Sequence, residues 1–314
     1  MMLSPTRGLF VALALAASAP CIAQSQDFPA KSIRFVVPYP PGGSGDFVGR
    51  LYAEHMAKAI DRTVVVDNRP GAATNIAGDL VARADADGYT LLMGTSQSII
   101  NKVFGPTPAF DAVTGFAPVA MLAHLPFMIA ANPGTAIASV KDLVAAARDD
   151  QLSLAHAQFE AQIKLLSLAT GVKVVGIPYK GGAQALTDTL SGQTKTVLAL
   201  VPVLMTQVKA GKLRAVGVAA SSRIGAVPDV PTFAEQGYPK FTTSFWMSVV
   251  APKGTPEAVL RRLTASTLEV TKDAQYAVRL RAAGAEPVVA GAEETAARMR
   301  EEHEIWIGAS KVGG

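Results

Sequence analysis

Residues 33–60 read IRFVVPYPPGGSGDFVGRLYAEHMAKAI and contain three kinds of sequence in succession. The β-branched and aromatic run Ile33–Val37 predicts a strand that ends at Pro38. Prolines and glycines dominate through Gly45, which predicts a loop, and Phe47–Ile60 shows apolar residues at helical spacing. A strand, a glycine-rich turn and a helix in this order form the repeating unit of an α/β fold.

The same alternation of strands and helices continues along the chain. Short β-prone runs are separated by amphipathic stretches and by turn residues, which favours an α/β fold with largely parallel sheets. The further predicted strands are Val64–Val66, Tyr89–Met93, Val172–Ile177, Thr196–Leu200 and Ala215–Ala219. The further predicted helices are Asn75–Ala84, Ser139–Arg148 with Ser139 as its N-cap, Gln184–Leu190, a helix capped by Thr255 before Pro256, and Ala292–Trp306.

The chain is long enough for two modest domains, and no segment has the composition of a flexible linker. We expect a first domain formed by residues 24–124 and 248–314 and a second formed by residues 125–247. The chain would cross between them near Leu122–Met128 and return near Phe245–Val250. Two crossings make a hinge, and two α/β lobes joined by a hinge place a ligand cleft where their strand ends meet.

Residues 1–23 have the pattern of a cleavable signal peptide. Arg7 gives a positive start, Leu9–Ala19 form an apolar run, and Cys21-Ile22-Ala23 places small residues where a signal peptidase cleaves. The apolar run is too short to span the ~30 Å of a bilayer's hydrocarbon core. We therefore expect export of the chain, with cleavage near Ala23.

Composition and charge exclude several classes of function. The single cysteine, Cys21, lies within the predicted signal peptide, so a mature chain would have no disulfide, catalytic thiol or cysteine-rich metal site. The formal net charge is +4 and no block of Lys and Arg resembles a nucleic-acid patch, so we expect no nucleic-acid partner. The glycine-rich loop matches neither a P-loop nor a Rossmann fingerprint, and we expect no cofactor.

Sequence patterns of enzymes are weak in this chain. None of the four histidines sits in a paired metal spacing, and no Gly-x-Ser-x-Gly motif is present. Acidic pairs such as Glu301-Glu302 are expected on solvated helix faces. Because a Ser/His/Asp set can assemble in space, a secreted α/β hydrolase stays open as an alternative. We nevertheless predict neither a catalytic nor a metal site.

Three turns that follow strands are candidate binding loops. In Pro40–Asp46, glycines allow backbone N–H groups to approach a ligand, and the N-terminus of the following helix favours an anion. The alternative is a tight turn in which Asp46 caps the helix. Gly94–Ser98 offers hydroxyls at a second strand end, with N-capping as the alternative, and Pro178–Gly182 is a third such turn.

A series of short motifs occurs in a fixed order along the chain. They are Phe28-Pro29-x-Lys31-x-Ile33, Pro38-Tyr39-Pro40-Pro41-Gly42-Gly43 with Asp46, Val66-Asp67-Asn68-Arg69-Pro70-Gly71-Ala72, Asp87-Gly88-Tyr89-Thr90-Leu91-Leu92, Pro178-Tyr179-Lys180-Gly181, Gly211-Lys212-Leu213-Arg214, Pro228-Asp229-Val230-Pro231-Thr232 and Ala251-Pro252-x-Gly254-Thr255-Pro256. In this order and spacing, they resemble the Bug family, the periplasmic solute-binding proteins of tripartite tricarboxylate transporters. The resemblance runs from about Phe28 to Trp306.

The resemblance implies a two-lobed type II periplasmic-binding-protein fold that closes around its ligand. It implies a periplasmic, non-enzymatic protein, expected as a monomer, that captures a small organic carboxylate and delivers it to a membrane permease. A binding component that feeds a sensor, and a degenerate member that no longer binds small molecules, stay open as alternatives. By the resemblance, the ligand-binding residues are Tyr39, Gly43, Ser44, Asp46, Thr95, Ser96, Tyr179 and Gly181.

Three positions depart from the family pattern. Gly45 stands where the family usually has Thr or Ser. Residues 152–159 lack the glycines of the family's second anion-binding loop, and Ala199-Leu200 replace a common Asp-Asn pair. Each change removes a polar group from the expected cleft, where a buried carboxylate without partners is strongly disfavoured.

The departures predict a ligand that is less polar than citrate or malate. An aromatic or medium-chain carboxylate would suit Phe159, Ala199 and Leu200, which stand in or near the altered segments. His156 and Gln158 are candidates to replace the contacts of the lost second loop. The alternative is that both belong to an ordinary loop.

Overall fold

The computed structural model describes residues 28–105, 108–149, 152–157, 159–179 and 181–311. The predicted signal peptide and the candidate site residue Gln158 lie outside these residues. Among the helices of the described ranges, none is both long and apolar enough to cross a membrane.

The N-terminal part of the chain follows the predicted alternation and ends in one long strand. Its elements are β1 (Ile33–Val37), α1 (Ser44–Ile60), β2 (Val64–Asn68), a short 3-10 helix (Ala72–Thr74), α2 (Asn75–Ala82), β3 (Thr90–Thr95), α3 (Ser96–Phe104) and β4 (Phe116–Ala131). β1 lies between β2 and β3 and pairs with both in parallel. The strands and helices predicted here are confirmed with small shifts of their ends, whereas β4 was not predicted.

The middle part repeats this alternation. Its elements are α4 (Val140–Arg148), β5 (Leu154–His156), α5 (Glu160–Thr170), β6 (Gly176–Pro178), α6 (Gly182–Ser191), β7 (Thr196–Leu200), α7 (Val201–Lys209) and β8 (Arg214–Val218). β5 pairs in parallel with β6 and β7. The predicted N-cap of α4 is confirmed, since the Ser139 hydroxyl accepts a hydrogen bond from the Asp142 N–H at 3.2 Å.

The C-terminal part adds a second long strand and three helices. Its elements are β9 (Ser244–Pro252), α8 (Glu257–Lys272), α9 (Ala274–Ala282), β10 (Glu286–Pro287) and α10 (Ala292–Lys311). The prediction that Thr255 caps α8 is wrong. The Thr255 hydroxyl instead donates to the Pro252 carbonyl at 2.8 Å, and Pro256 occupies the N-cap position.

The two long strands β4 and β9 connect the parts of the fold. They pair antiparallel from Phe116, opposite Pro252, to Pro126, opposite Ser244. Beyond this point the last residues of β4, Phe127–Ala131, pair antiparallel with β7 and β8. The prediction of largely parallel sheets is therefore wrong. The sheet is mixed because the long strands run against the parallel strands beside them.

We call the part built on β1–β3 the first lobe and the part built on β5–β8 the second lobe. The first lobe includes α1–α3 and α8–α10, and the second includes α4–α7. The segments predicted as crossings, Leu122–Met128 and Phe245–Val250, fall in or across the paired strands β4 and β9. The domain limits at residues 124 and 247 stay a prediction.

The predicted strand Val172–Ile177 is wrong over most of its length. Only Gly176–Pro178 pairs in the sheet, as β6. Val174 turns its N–H to the hydroxyl of Ser167 on α5, at 3.0 Å, and the side chain of Val175 is 62% exposed. This stretch therefore runs along α5, where its backbone finds a side-chain partner.

The position of Glu302 also differs from the expectation. Its side chain is buried, and it accepts hydrogen bonds from the indole N–H groups of Trp246 in β9 and Trp306 in α10. Burial raises the pKa of Glu302, an effect opposed by these hydrogen bonds and by Arg298. The prediction of a solvated face is wrong for Glu302, which ties α10 to β9, and right for the exposed Glu301.

Candidate functional site

Backbone N–H groups line the start of α1. Gly42 has a φ of 86°, a conformation that favours glycine. Gly43 is the N-cap of the helix, and no side chain of the described residues caps it. The first hydrogen bond of the helix runs from the Phe47 N–H to the Gly43 carbonyl at 2.9 Å. The N–H groups of Ser44–Asp46 therefore have no acceptor within the helix, and the positive end of its dipole points the same way.

The carboxylate of Asp46 holds this loop in shape. Its Oδ2 accepts from the Gly42 N–H and from Arg50 Nε, both at 2.9 Å, and its Oδ1 accepts from Asn68 Nδ2 at 2.8 Å. Asn68 Nδ2 also donates to the Tyr39 carbonyl at 2.9 Å. Burial alone would raise the pKa of Asp46, but the hydrogen bonds from Arg50, Gly42 and Asn68 outweigh it and lower the pKa. With both oxygens engaged, Asp46 stabilises the loop and the helix start.

The ring of Tyr39 lies directly beside Gly45. A Cβ added to Gly45 would lie 2.8 Å from Tyr39 Cγ, well inside van der Waals contact. The Tyr39 ring also packs edge-on against Phe245, with centroids 6.0 Å apart. The aromatic ring thus takes the space that a Thr or Ser side chain would need at position 45.

Buried hydroxyl groups lie at the end of β3. Thr95 and Ser96 are each 1% exposed, and neither hydroxyl has a hydrogen-bond partner among the described residues; the same holds for Tyr39 and Ser248. Burial raises the pKa of Tyr39, and the nearby Thr95 hydroxyl lowers it by a smaller amount. The two hydroxyls do not form a hydrogen bond with each other. Each such hydroxyl can still donate to or accept from a small polar group.

His156 is enclosed in the second lobe. Its side chain is 2% exposed, its Nδ1 accepts from the Phe159 N–H at 3.0 Å, and a Cβ added to Gly176 would collide with the imidazole. Burial lowers the pKa of His156, with Glu160 opposing the shift, so the ring is neutral. A neutral ring that caps the start of α5 supports the alternative in which this segment is an ordinary loop.

We expect His156 to make the protein less stable in acid. The pKa of His156 is lower in the folded protein than in the unfolded chain, where it has its ordinary value of about 6.5. The unfolded chain therefore binds the proton more readily, and the free energy of unfolding falls as pH falls through 6.5. In His156→Gln, the loss of unfolding free energy between pH 7.5 and 5.5 should be smaller than in the parent protein. Urea unfolding at both pH values measures this, with His303→Gln as control. An equal loss in the parent and in His156→Gln would contradict the enclosed position.

The remaining candidates in the second lobe lie at strand ends. The Tyr179 hydroxyl donates to Asp188 Oδ2 at 2.8 Å. This bond holds the Tyr179 side chain against α6, the helix that follows it. Gly181 is the N-cap of α6. Ala199 is buried in the core of the second lobe, and Leu200 is the half-buried N-cap of α7. Of these residues, Gly181 and Leu200 stand at helix starts, where a ligand could approach.

A cleft of about 200 Å³ joins the start of α1 to the second lobe. Its volume is below the ~300–1,000 Å³ of sites for drug-sized ligands, so it suits a small molecule. The first lobe and the β4 strand provide a largely apolar floor, and the start of α7 provides the facing wall. The lining residues are Gly42, Gly43, Ser44, Phe47, Val48, Leu125, Pro202, Ala283 and Ala285.

Sequence reasoning found only part of this lining. Gly43 and Ser44 were predicted, whereas Leu125, Pro202 and the Ala283–Ala285 turn were not. Phe47 was expected on the apolar face of its helix, but it is 36% exposed and faces the cleft. In the sequence, a phenylalanine directly after the glycine loop could have indicated an apolar wall of the cleft. The other residues come together only through the packing of the two lobes.

A larger cavity of about 820 Å³ lies away from the glycine loop. Its lining includes His124, Arg281 and Arg298, and both arginines are paired with glutamates. Burial lowers the pKa of His124, with Glu286 opposing and Arg298 adding to the shift. Because its charges already pair within the protein, this cavity is the weaker candidate. Within the described ranges, no three His, Cys, Asp or Glu side chains are grouped to hold a metal ion.

Comparison with a known family agrees with this geometry. Residues 48–308 match the family described as the tripartite tricarboxylate transporter family receptor, TctC. Protein BugT of Bordetella pertussis is 33% identical to this chain, over 98% of this chain and 96% of that protein.

Two solved structures share the fold. Rpa4515 of R. palustris, solved with adipate, has a TM-score of 0.79 and 30% identity, covering 91% of this chain and 98% of that one. MatC (Rpa3494) from Rhodopseudomonas palustris, solved with bound malate, has a TM-score of 0.77 and 29% identity, covering 90% and 99%. The prediction of a two-lobed α/β fold of the periplasmic-binding-protein type is confirmed. The chain belongs to the TctC/Bug family and is one of its periplasmic solute-binding proteins.

Proposed function

We propose that this protein captures a small organic acid by one carboxylate at the start of α1 and holds its apolar body against the second lobe. It then delivers the acid to the permease of a tripartite tricarboxylate-type transporter. The observation that carries the proposal is the cleft in which the glycine loop faces Leu125 and Pro202. One side of this cleft offers N–H groups to an anion, and the other side is apolar.

The start of α1 supplies only part of the affinity. A helix N-terminus stabilises an anion by about 0.3–2 kcal/mol, whereas a micromolar complex needs about 8 kcal/mol. Burial of ~150 Å² of apolar surface adds about 4 kcal/mol. We assign the rest to a hydrogen bond with the Ser44 hydroxyl and to contacts with Phe47, both of which line the cleft.

The second lobe offers few groups for a second carboxylate. Pro202, in the first turn of α7, has no N–H to donate, and the hydroxyl of Tyr179 is engaged by Asp188. Leu125 of β4 and Ala285 of the first lobe add apolar surface to the same cleft. A second carboxylate here would find few donors beyond the N–H groups at the start of α7, where Pro202 supplies none. We therefore propose an aromatic or medium-chain monocarboxylate as the ligand.

The relatives support the general class of ligand. Rpa4515 was solved with adipate and MatC with malate. Both compounds are small carboxylates with two acid groups. The proposed preference for one acid group and an apolar body goes beyond what these relatives support, and it rests on Leu125 and Pro202 in the cleft lining.

Isothermal titration tests the ligand class. Benzoate, phenylacetate, hexanoate and octanoate are compared with succinate, malate, adipate and citrate. We expect at least one monocarboxylate to bind about tenfold tighter than every di- and tricarboxylate, a difference of about 1.4 kcal/mol. The matching amide of that acid, which lacks the charge, should bind much more weakly. Tighter binding of malate or citrate would contradict the proposal.

The mature form and the partner belong to the same proposal. We propose cleavage near Ala23, two domains formed by residues 24–124 with 248–314 and by residues 125–247, and a monomer in solution. N-terminal sequencing of the exported protein tests the cleavage.

Loss of uptake of the acid in cells without this chain supports delivery to a permease. Unchanged uptake with loss of acid-induced transcription would instead support a sensor as the partner.

A further inference from the structure

The turn between α9 and β10 touches the start of α7 in the other lobe. Gly284, in this turn, has a φ of 78°. A Cβ added there would lie 2.9 Å from Met205 Sδ and 3.2 and 3.3 Å from the N and Cα of Pro202. Because two of these are backbone atoms of α7 and lie closer than ordinary van der Waals contact, a side chain at position 284 would push α7 and the turn apart.

The turn itself is held firmly. The Gly284 N–H donates to the Arg281 carbonyl at 2.9 Å, and the Ala285 N–H donates to the Leu280 carbonyl at 3.1 Å. These bonds close the C-terminal end of α9 in the manner of a helix C-cap. A side chain added at position 284 would therefore press on α7, since the turn has little freedom to withdraw.

The same contact forms one end of the candidate cleft. Ala283 and Ala285 line the cleft on either side of Gly284, and Pro202 lines it from the second lobe. Gly284 itself is not part of the lining. Separation of the turn from α7 would thus open the cleft without a change in the groups that face the ligand.

A second contact between the lobes involves α5. Lys164 Nζ donates to the Ser310 carbonyl of α10 at 3.4 Å and lies 5.9 Å from the ring centroid of Phe104 in α3. Ala161 of α5 belongs to the same apolar cluster as Trp306. The lobes therefore also meet where α5 packs on α3 and α10, in addition to the contact of Gly284 with α7.

The joining strands have places at which they can bend. The pairing of β4 with β9 shifts in register between Pro118 and Ala120 and again between Met121 and Ala123. Such irregularities bend a strand and break its ladder locally. The lobes can therefore separate about β4 and β9 once the two contacts are broken.

We propose that Gly284 is the position that allows the two lobes to close, so that the size of the side chain at 284 sets ligand affinity without a contact to the ligand. The proposal rests on the proposed capture of a ligand in this cleft. If only the closed form binds tightly, the apparent Kd is the intrinsic Kd divided by the closed fraction. A tenfold smaller closed fraction then weakens binding about tenfold.

Gly284→Asn tests the proposal, because asparagine tolerates a positive φ and the change therefore adds bulk with little backbone strain. The control is Gly211→Asn, since Gly211 also has a positive φ, of 67°, and an added Cβ meets nothing within 4 Å. Small-angle scattering without ligand measures opening, and titration with the tightest acid of the panel measures affinity. Gly284→Ala is the milder second variant if the asparagine variant does not fold.

We expect Gly284→Asn to have a larger radius of gyration than the parent and an affinity about tenfold weaker, with Gly211→Asn unchanged in both. An unchanged radius and affinity in folded Gly284→Asn would overturn the proposal, as would equal effects in Gly211→Asn. If no acid binds the parent protein, the proposed function fails, whereas the scattering comparison still decides whether Gly284 controls closure.

Discussion

Replacement of Asp46 by alanine is expected to lower the free energy of unfolding by about 1–3 kcal/mol and to abolish capture of the acid. The carboxylate accepts from the Gly42 N–H, Arg50 and Asn68. Removal leaves the Gly42 N–H without its acceptor, and the half-buried Asn68 amide keeps only the Tyr39 carbonyl. Arg50, which is largely exposed, adds little. The glycine loop would then lose the shape that presents the N–H groups of α1 to the ligand.

The measurement is urea unfolding together with titration of the tightest acid of the panel. Asp85→Ala, at an exposed carboxylate of the same lobe, is the control and should be unchanged in both. A loss below about 0.5 kcal/mol in Asp46→Ala would mean that the loop keeps its shape without the carboxylate.

The pH dependence of the same network has a defined sign. The pKa of Asp46 is lowered in the folded protein from its ordinary 3.8. The folded state therefore binds the proton less readily than the unfolded chain, and this stabilisation is present above about pH 3.8 and is lost as pH falls through the folded pKa. Asp46→Asn should thus destabilise the protein more at pH 7 than at pH 3. An equal loss at both pH values would contradict the assignment of a charged Asp46.

Local sequence patterns predicted the units of this fold well. The strand Ile33–Val37, the loop that follows it and the helix to Ile60 obey rules of spacing and turn chemistry that act over a few residues. The Ser139 cap is of the same kind. The 16 residues of β4 escaped prediction because they are apolar on both faces, so no alternation marks them, and because Pro118 and Pro126 argue against a strand.

The candidate site was predictable only where one segment makes it. Asn68 belonged to a motif used to recognise the family, but its bonds to Asp46 and to the Tyr39 carbonyl depend on the pairing of β1 with β2. The contact of Gly284 with Pro202 joins residues far apart in the chain. Such contacts follow from the packing of lobes, and a single sequence carries no periodic signal for them.

Gly45→Thr is the second change for which we expect a large effect. The Tyr39 ring occupies the space that a side chain at position 45 needs, since an added Cβ would lie 2.8 Å from Tyr39 Cγ. The ring must leave its place against Phe245, which should cost about 1–3 kcal/mol of stability. The acid should also bind more weakly, because a displaced ring would disturb the glycine loop whose residues Gly42–Ser44 line the cleft.

Gly43→Thr is the matched control for stability in the same loop. A Cβ added to Gly43 has its nearest neighbour, the Pro40 carbonyl, at 3.8 Å, and the φ of Gly43 is −83°, which any residue adopts. We expect Gly43→Thr to unfold with nearly the parent's free energy. A loss in Gly43→Thr equal to that in Gly45→Thr would show that the loop rejects any side chain.

The double variant Gly45→Thr with Tyr39→Ala separates crowding from other causes. If the ring and the new side chain compete for one space, removal of the ring should make Gly45→Thr nearly neutral in the Tyr39→Ala background. The double-mutant cycle would then give a coupling energy of about 1–3 kcal/mol, as expected for residues in contact. Additive losses would mean that Tyr39 does not fill the space beside Gly45. Coupling would instead show that the Tyr39 ring, in its position against Phe245, excludes a side chain at position 45.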